Sequence, residues 1–154
     1  MMVNRNIRPA TFADGALLRA WANADDSLKW KRDTKKLIST EEHLAWLHLR
    51  LADPFTQIWI ALQDGTPSGQ VRLEKKSDFV YVDIYVVAGA RGLGLASFAL
   101  NESINRYSKL FGSKIFCAIV HCENEISEKL FVKNGFLKDE YEPENWFRFI
   151  LGVR

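Results

Sequence analysis

Ala88-Gly89-Ala90-Arg91-Gly92-Leu93-Gly94-Leu95-Ala96-Ser97 joins a long apolar alternation to a long helical pattern. Glycines in such a junction leave no side chain between backbone and ligand. The first amides of the following helix lack internal partners and point outward with the positive end of the helix dipole. Together they form a site for a pyrophosphate, and Arg91 adds a full charge at its mouth. Glycines alone say only that the chain turns, so the spacing must be weighed. A dinucleotide-binding G-x-G-x-x-G follows the first strand of a parallel β-α-β unit and has an acidic residue on the next strand. Here the glycines follow the fourth or fifth strand. A Walker loop needs Gly-Lys-Ser/Thr, which this stretch does not contain. What remains is Arg91-x-x-Gly94-x-Ala96.

Upstream, Phe79 to Val87 is the longest strand pattern, with Val80, Val82, Ile84 and Val86 on one face and Phe79, Tyr81, Asp83 and Tyr85 on the other. Two more strands precede it, Gln57 to Leu62 ending at Asp64-Gly65, and Gly69 to Glu74. Before them, Ser39 followed by Glu42 has the form of a capping box. Leu44, Leu47 and Leu51 continue that helix until Asp53-Pro54 stops it. A first strand at Asn6 to Pro9 and a helix over about Ala13 to Asn23 open the chain. Downstream, a helix over about Gly92 to Phe111 carries Leu93, Leu100, Ile104, Tyr107 and Phe111 on one face and ends at Gly112. Then come a strand at Lys114 to Val120, a helix from about Glu125 to Lys133 closed by Asn134-Gly135, and strands near Phe136 to Asp139 and Trp146 to Leu151. This order makes an α/β (α+β) domain in which a mixed sheet has helices on both faces.

The 154 residues suit one domain spanning 1–154, with a core that needs neither disulfide nor metal. A net charge of +2 carries no argument for nucleic acid, and no basic face with interleaved aromatics extends beyond the run Lys29 to Lys36. Cys117 and Cys122 have no companions at zinc spacing and read as reduced thiols. Met1 to Ala10 is polar and mixed in charge, unlike a signal peptide. Phe79 to Ala90 is too short to span a bilayer. The expectation is a soluble, cytoplasmic protein without a metal.

Arg91-x-x-Gly94-x-Ala96 resembles the coenzyme A signature Arg/Gln-x-x-Gly-x-Gly/Ala of the GNAT N-acetyltransferase superfamily. A second block agrees with it. The residues from Val120 through Asn124, Ser127, Leu130, Phe131 and Lys133 to Gly135-Phe136 resemble that superfamily's Val-x-x-x-Asn-x-x-Ser-x-x-Leu-Tyr/Phe-x-Lys-x-Gly-Phe segment. The similarity runs over nearly the whole chain, including Ile7-Arg8-Pro9-Ala10. It implies a mostly antiparallel seven-stranded sheet and acetyl-CoA as cosubstrate, with transfer of acetyl directly to a primary amine. It also implies that backbone amides of Arg91, Gly92, Leu93, Gly94, Leu95 and Ala96 hold the pyrophosphate, with Ser97 helping. Val86 would pair with the pantetheine amides, and Asn124 would reach the coenzyme arm while also capping a helix. Phe131 would pack near the thioester, and a backbone amide at Val86 or Val87 would polarise the carbonyl.

Transfer to an amine needs a neutral nucleophile, a polarised carbonyl and a stabilised leaving thiolate. Asp83 is the first candidate base, because a mid-strand carboxylate is costly to bury. The alternative is that its face is solvated. His43 is the second candidate, on one helical face with Trp46, Leu47 and Arg50. His121 ranks below both, and His48 reads as structural. Many relatives have tyrosine where this chain has Phe131, so the proton for the thiolate would come from the substrate ammonium, a water, Ser127 or Tyr85.

Three further segments are similar to the GNAT branch that acetylates amino groups on nucleotide-linked sugars: Trp21-Ala22-Asn23, Glu41-Glu42-His43-Leu44-Ala45-Trp46 and Gly69-Gln70-Val71-Arg72. That branch has an arginine where this chain has Ala22. The likeness implies that His43 and Trp46 line the acceptor pocket, and the Lys29 to Lys36 run offers charge for a diphosphate. Acetylation of a peptide N-terminus or another small amine is one alternative. A non-catalytic coenzyme A-binding domain is another. Pairing of edge strands near the C-terminus would make a homodimer, and nothing in Trp146-Phe147-Arg148-Phe149-Ile150 decides it.

Overall fold

A computed structural model describes residues 2–32, 36–140 and 143–152. Part of the basic run, Asp33-Thr34-Lys35, lies outside the described residues. The chain forms β1 (Arg5–Pro9), α1 (Gly15–Ala22), α2 (Asp25–Leu28), α3 (Thr40–Ala52), β2 (Thr56–Gln63), β3 (Thr66–Lys76) and β4 (Phe79–Val86). After them come α4 (Leu95–Phe111), β5 (Ile115–His121), α5 (Glu125–Lys133), β6 (Leu137–Asp139) and β7 (Trp146–Gly152). Short 3-10 turns precede α1 and α4.

One seven-stranded sheet runs in the order β1-β2-β3-β4-β5-β7-β6. Every neighbouring pair is antiparallel except β4 with β5. That parallel pairing covers only Phe79–Tyr81 against Ile115–Cys117. Among the described residues it goes no further, so the remainder of β4, through Val86, is unpaired on its β5 side.

Strand alternation sorts the core onto two faces of the sheet. Trp59 and Ala61 of β2 join Val71, Leu73, Val80, Val82 and the α4 residues Leu95, Leu100, Ile104 and Tyr107 in the larger cluster. Ile58 and Ile60 pack instead with Leu18 and Trp21 of α1 and Leu47 of α3. Tyr107 donates to the Phe55 carbonyl (2.8 Å), satisfying its hydroxyl inside the core. Gly69 is required where β3 meets the end of β4, since a Cβ there would sit 2.4 Å from the Tyr85 carbonyl oxygen.

Three expectations are corrected. The fourth helix begins at Leu95 rather than near Gly92, because Gly92 and Gly94 take φ of +82° and +83°, which an α-helix does not accommodate. Leu93 therefore leaves the apolar face and is 49% exposed. On α3 the buried residues are His43 and Leu47, while His48 and Leu51 are exposed, so His48 is not a core residue. The Ser39 cap is as expected, its hydroxyl accepting from the Glu42 amide (3.1 Å).

Candidate active site

A cleft of about 990 Å³ crosses the sheet where β4 and β5 part. Its floor is the polar face of two strands in register: Gln70 opposite Tyr85, Arg72 opposite Asp83, Glu74 opposite Tyr81. α3 closes it on one side with His43 and Trp46. Trp30 and Lys31 lie beyond α2, and Arg91, Ala96, Asn124, Ser127 and Leu130 form the opposite end.

The end of the cleft expected to take the coenzyme follows from the glycine turn. Phe98 N–H donates to Gly94 C=O (3.1 Å), so the amides of Leu95, Ala96 and Ser97 precede the first bond of α4 and stay outward. Gly92 and Gly94 give the turn its left-handed residues. Arg91 differs from the expectation: its own amide is spent on Ala88 C=O (3.3 Å). Its guanidinium turns back, Nε donating to Val86 C=O (2.8 Å) and Nη2 to Asp26 (2.6 Å). Ser97 Oγ accepts from Asn134 Nδ2 (3.0 Å), and the same amide group donates to Leu130 C=O (2.8 Å). Asn134 thus ties the start of α4 to the end of α5. Asn124 caps α5, as expected, by accepting from the Ser127 amide (3.3 Å), and it also lines the cleft.

The choice of Val86 or Val87 as the amide expected to polarise the carbonyl can be narrowed. Val87 N–H donates to Ser68 C=O (2.9 Å) and is unavailable. Backbone groups alternate sides along a strand, so the Val86 N–H and C=O face the gap toward β5, as do those of Ile84 and Val82. Phe131 does not line the cleft. It is 3% exposed and packs against Phe136 and Phe149, with ring centroids 5.0 and 6.5 Å away.

The titratable candidates separate sharply. The Asp83 side chain is 55% exposed, accepts from Gln70 Nε2 (2.8 Å) and lies 3.6 Å from Arg72. It is a solvated, paired carboxylate. His121 accepts from the Glu123 amide through Nδ1 (3.1 Å), which leaves that nitrogen no lone pair for a substrate proton. His43 is 4% exposed, and its buried Nδ1 has no hydrogen-bond partner. Burial lowers its pKa from 6.5, and the charges of Arg19, Lys31 and Arg72 lower it further. The imidazole is therefore neutral at neutral pH. Tyr85 donates to Asp26 (2.9 Å), and burial together with that bond raises its pKa, so it keeps its proton.

Sequence reading missed Asp26, Gln70 and Asn134. Asp26 carries no motif of its own, Gln70 stood in the segment Gly69-Gln70-Val71-Arg72 without a role, and Asn134 read only as a helix stop. Among the described residues no group of three or more His, Cys, Asp or Glu is placed to hold a metal, and no helix is long and apolar enough to cross a membrane.

Comparison with known proteins agrees with this geometry. No curated protein sequence matches the chain. A domain from Methanocaldococcus jannaschii is similar in structure at 22% identity, covering 99% of this chain and 100% of that one with a TM-score of 0.86. A ribosomal-protein-alanine N-acetyltransferase from Brucella melitensis is 21% identical over 96% and 99% of the two chains, TM-score 0.77. A Salmonella typhimurium protein assigned as an acetyltransferase, with its cofactor acetyl-CoA, is 18% identical over 98% and 94%, TM-score 0.76. The family model for the acetyltransferase (GNAT) domain matches residues 5–137. The chain belongs to the GNAT family of acetyl-CoA-dependent N-acetyltransferases.

Proposed function

We propose that the protein transfers acetyl from acetyl-CoA directly to a primary amine seated at the α3 end of the cleft, with His43 as general base. One observation carries this reading: an imidazole held neutral lines the same cleft as the unpaired edge of β4. The amine reaches the cleft as an ammonium and loses a proton to His43. Its nitrogen then attacks the carbonyl carbon, whose oxygen is stabilised by the Val86 N–H. The C–S bond breaks as the nitrogen gives up its second proton, which passes to the departing thiolate directly or through a water or the Tyr85 hydroxyl. Asp83 serves instead to hold Arg72 and Gln70 in place on the floor.

The acceptor amine belongs to a nucleotide-linked amino sugar. Trp30 and Trp46 supply aromatic faces on the cleft wall, and Lys31 and Arg72 supply cations suited to a diphosphate. Lys31 is partly buried and desolvated, which lowers its pKa and favours an anionic neighbour. A second reading, acetylation of a peptide N-terminus, draws on the carboxylates Glu42, Glu74 and Asp83 lining the same cleft. It also draws on the activity named for the Brucella melitensis protein. Thiol release from acetyl-CoA across UDP-amino sugars, N-terminal peptides, polyamines and aminoglycosides separates the two. Turnover confined to a UDP-amino sugar supports the first reading, and turnover confined to peptides replaces it with the second.

A further inference from the structure

We propose that Asp26 is a positioning residue of the coenzyme site: it holds Arg91 away from the glycine turn, so coenzyme A must win the guanidinium from a carboxylate as it binds. This rests on the reading of Arg91 as a pyrophosphate ligand. The carboxylate is shared. One oxygen of Asp26 accepts from Arg91 Nη2 (2.6 Å), and the other accepts from the Tyr85 hydroxyl (2.9 Å). Arg91 Nε donates at the same time to Val86 C=O (2.8 Å), and its guanidinium carbon lies 5.8 Å from the Tyr85 ring centroid. The arginine therefore occupies a backbone acceptor that faces the gap, where an added strand would need it.

The same carboxylate also ties α2 to the sheet. The helix has four residues and buries none of them. Its tie to the sheet is the ring formed by Asp26, Arg91 and Tyr85, with Trp30 just beyond it against His121 (ring centroids 5.5 Å apart). An anionic coenzyme approaching the turn competes with Asp26 for one cation. When it wins, Arg91 releases both α2 and the Val86 carbonyl. Coenzyme binding and the seating of α2 over the cleft are thus coupled with opposite sign.

Asp26→Asn tests this, because the carboxamide still offers an oxygen to Tyr85 but no longer competes as a charge. Calorimetric titration with coenzyme A at low salt should show the variant binding about three- to tenfold tighter than the wild type, the advantage shrinking as KCl is added. Asp25→Asn removes the same charge from the same helix at an exposed side chain and should stay within about twofold. Equal or weaker binding by Asp26→Asn overturns the proposal, as does equal tightening by Asp25→Asn. Thermal melts of each variant accompany the titrations. A lower melting temperature with unimproved binding would mark Asp26 as a structural tie only. Arg91→Ala separates the two levels. If it weakens binding while Asp26→Asn changes nothing, the positioning role alone fails. If neither matters, the pyrophosphate reading of Arg91 fails with it.

Discussion

His43→Gln discriminates between two bases on the same cleft. Glutamine keeps a polar side chain of similar reach but cannot take up a proton. A positioned general base contributes about 10²- to 10⁴-fold, equivalent to roughly 3–5 kcal/mol of transition-state stabilisation. The variant should therefore lose about two to four decades of kcat. The KM for acetyl-CoA should hold, because His43 lines the α3 side of the cleft and Arg91, Ala96 and Asn124 the opposite end. The pH profile adds a second, independent reading. Burial and the charges of Arg19, Lys31 and Arg72 put the pKa of His43 below 6.5. The wild-type kcat/KM should thus be flat at neutral pH and fall on an acid limb whose midpoint lies below about 6.5. The His43→Gln profile should lack that limb. Asp83→Asn should cost less than about tenfold, since its carboxylate is solvated and already held by Gln70 and Arg72. Thiol release against pH on the three proteins decides the matter. A His43→Gln enzyme keeping more than about a third of kcat, or an Asp83→Asn enzyme losing two decades, would refute the assignment.

The same histidine gives a stability signature: its folded pKa is depressed, so the unfolded chain binds more protons below about pH 6.5. Urea midpoints of the wild type should fall as pH drops from there through the folded value and then level, and His43→Gln should lack that increment. Gly69→Ala brings a Cβ to 2.4 Å from the Tyr85 carbonyl oxygen and should destabilise by about 2–4 kcal/mol in urea, with weaker coenzyme A binding as the end of β4 shifts. Tyr107→Phe removes the donor to Phe55 C=O and should cost about 1–2 kcal/mol in the same assay with kcat unchanged. Asn134→Ala frees Ser97 from α5 and should raise the Kd for coenzyme A about two- to fivefold in a titration that leaves secondary structure intact by circular dichroism.

Which of these groups a reader of the sequence could find depends on how local their physics is. The strand Phe79–Val86 was legible because Val80, Val82 and Val86 face a core that rewards alternation. The start of α4 was misplaced because apolar Leu93 fits the helical period, whereas the left-handed Gly92 and Gly94 forbid it; glycine conformation outranks apolar spacing. The face of α3 was misread for a different reason. Leucines marked Leu44 and Leu51 as inward and carried His48 with them, yet α3 packs Leu47 against Ile58 and Ile60 and turns His43 and Trp46 to a cleft shared with Gln70, Arg72 and Glu74. A histidine can be buried there, and a leucine at the helix end stays exposed. Hydrophobic period locates a helix face only where the opposing surface is apolar. The separation of β4 from β5 left no trace in either strand, both of which are apolar enough to pair along their full length. The ring at Asp26 is further still from local signals, joining residues 59 and 65 positions apart through one carboxylate. Short-range rules therefore found the glycine turn, where the start of α4 leaves backbone amides facing outward. They ordered the two candidate bases by the cost of burying a strand carboxylate. Burial and partners are what favour His43 as the proposed base: Asp83 is open and paired, His43 enclosed and held neutral.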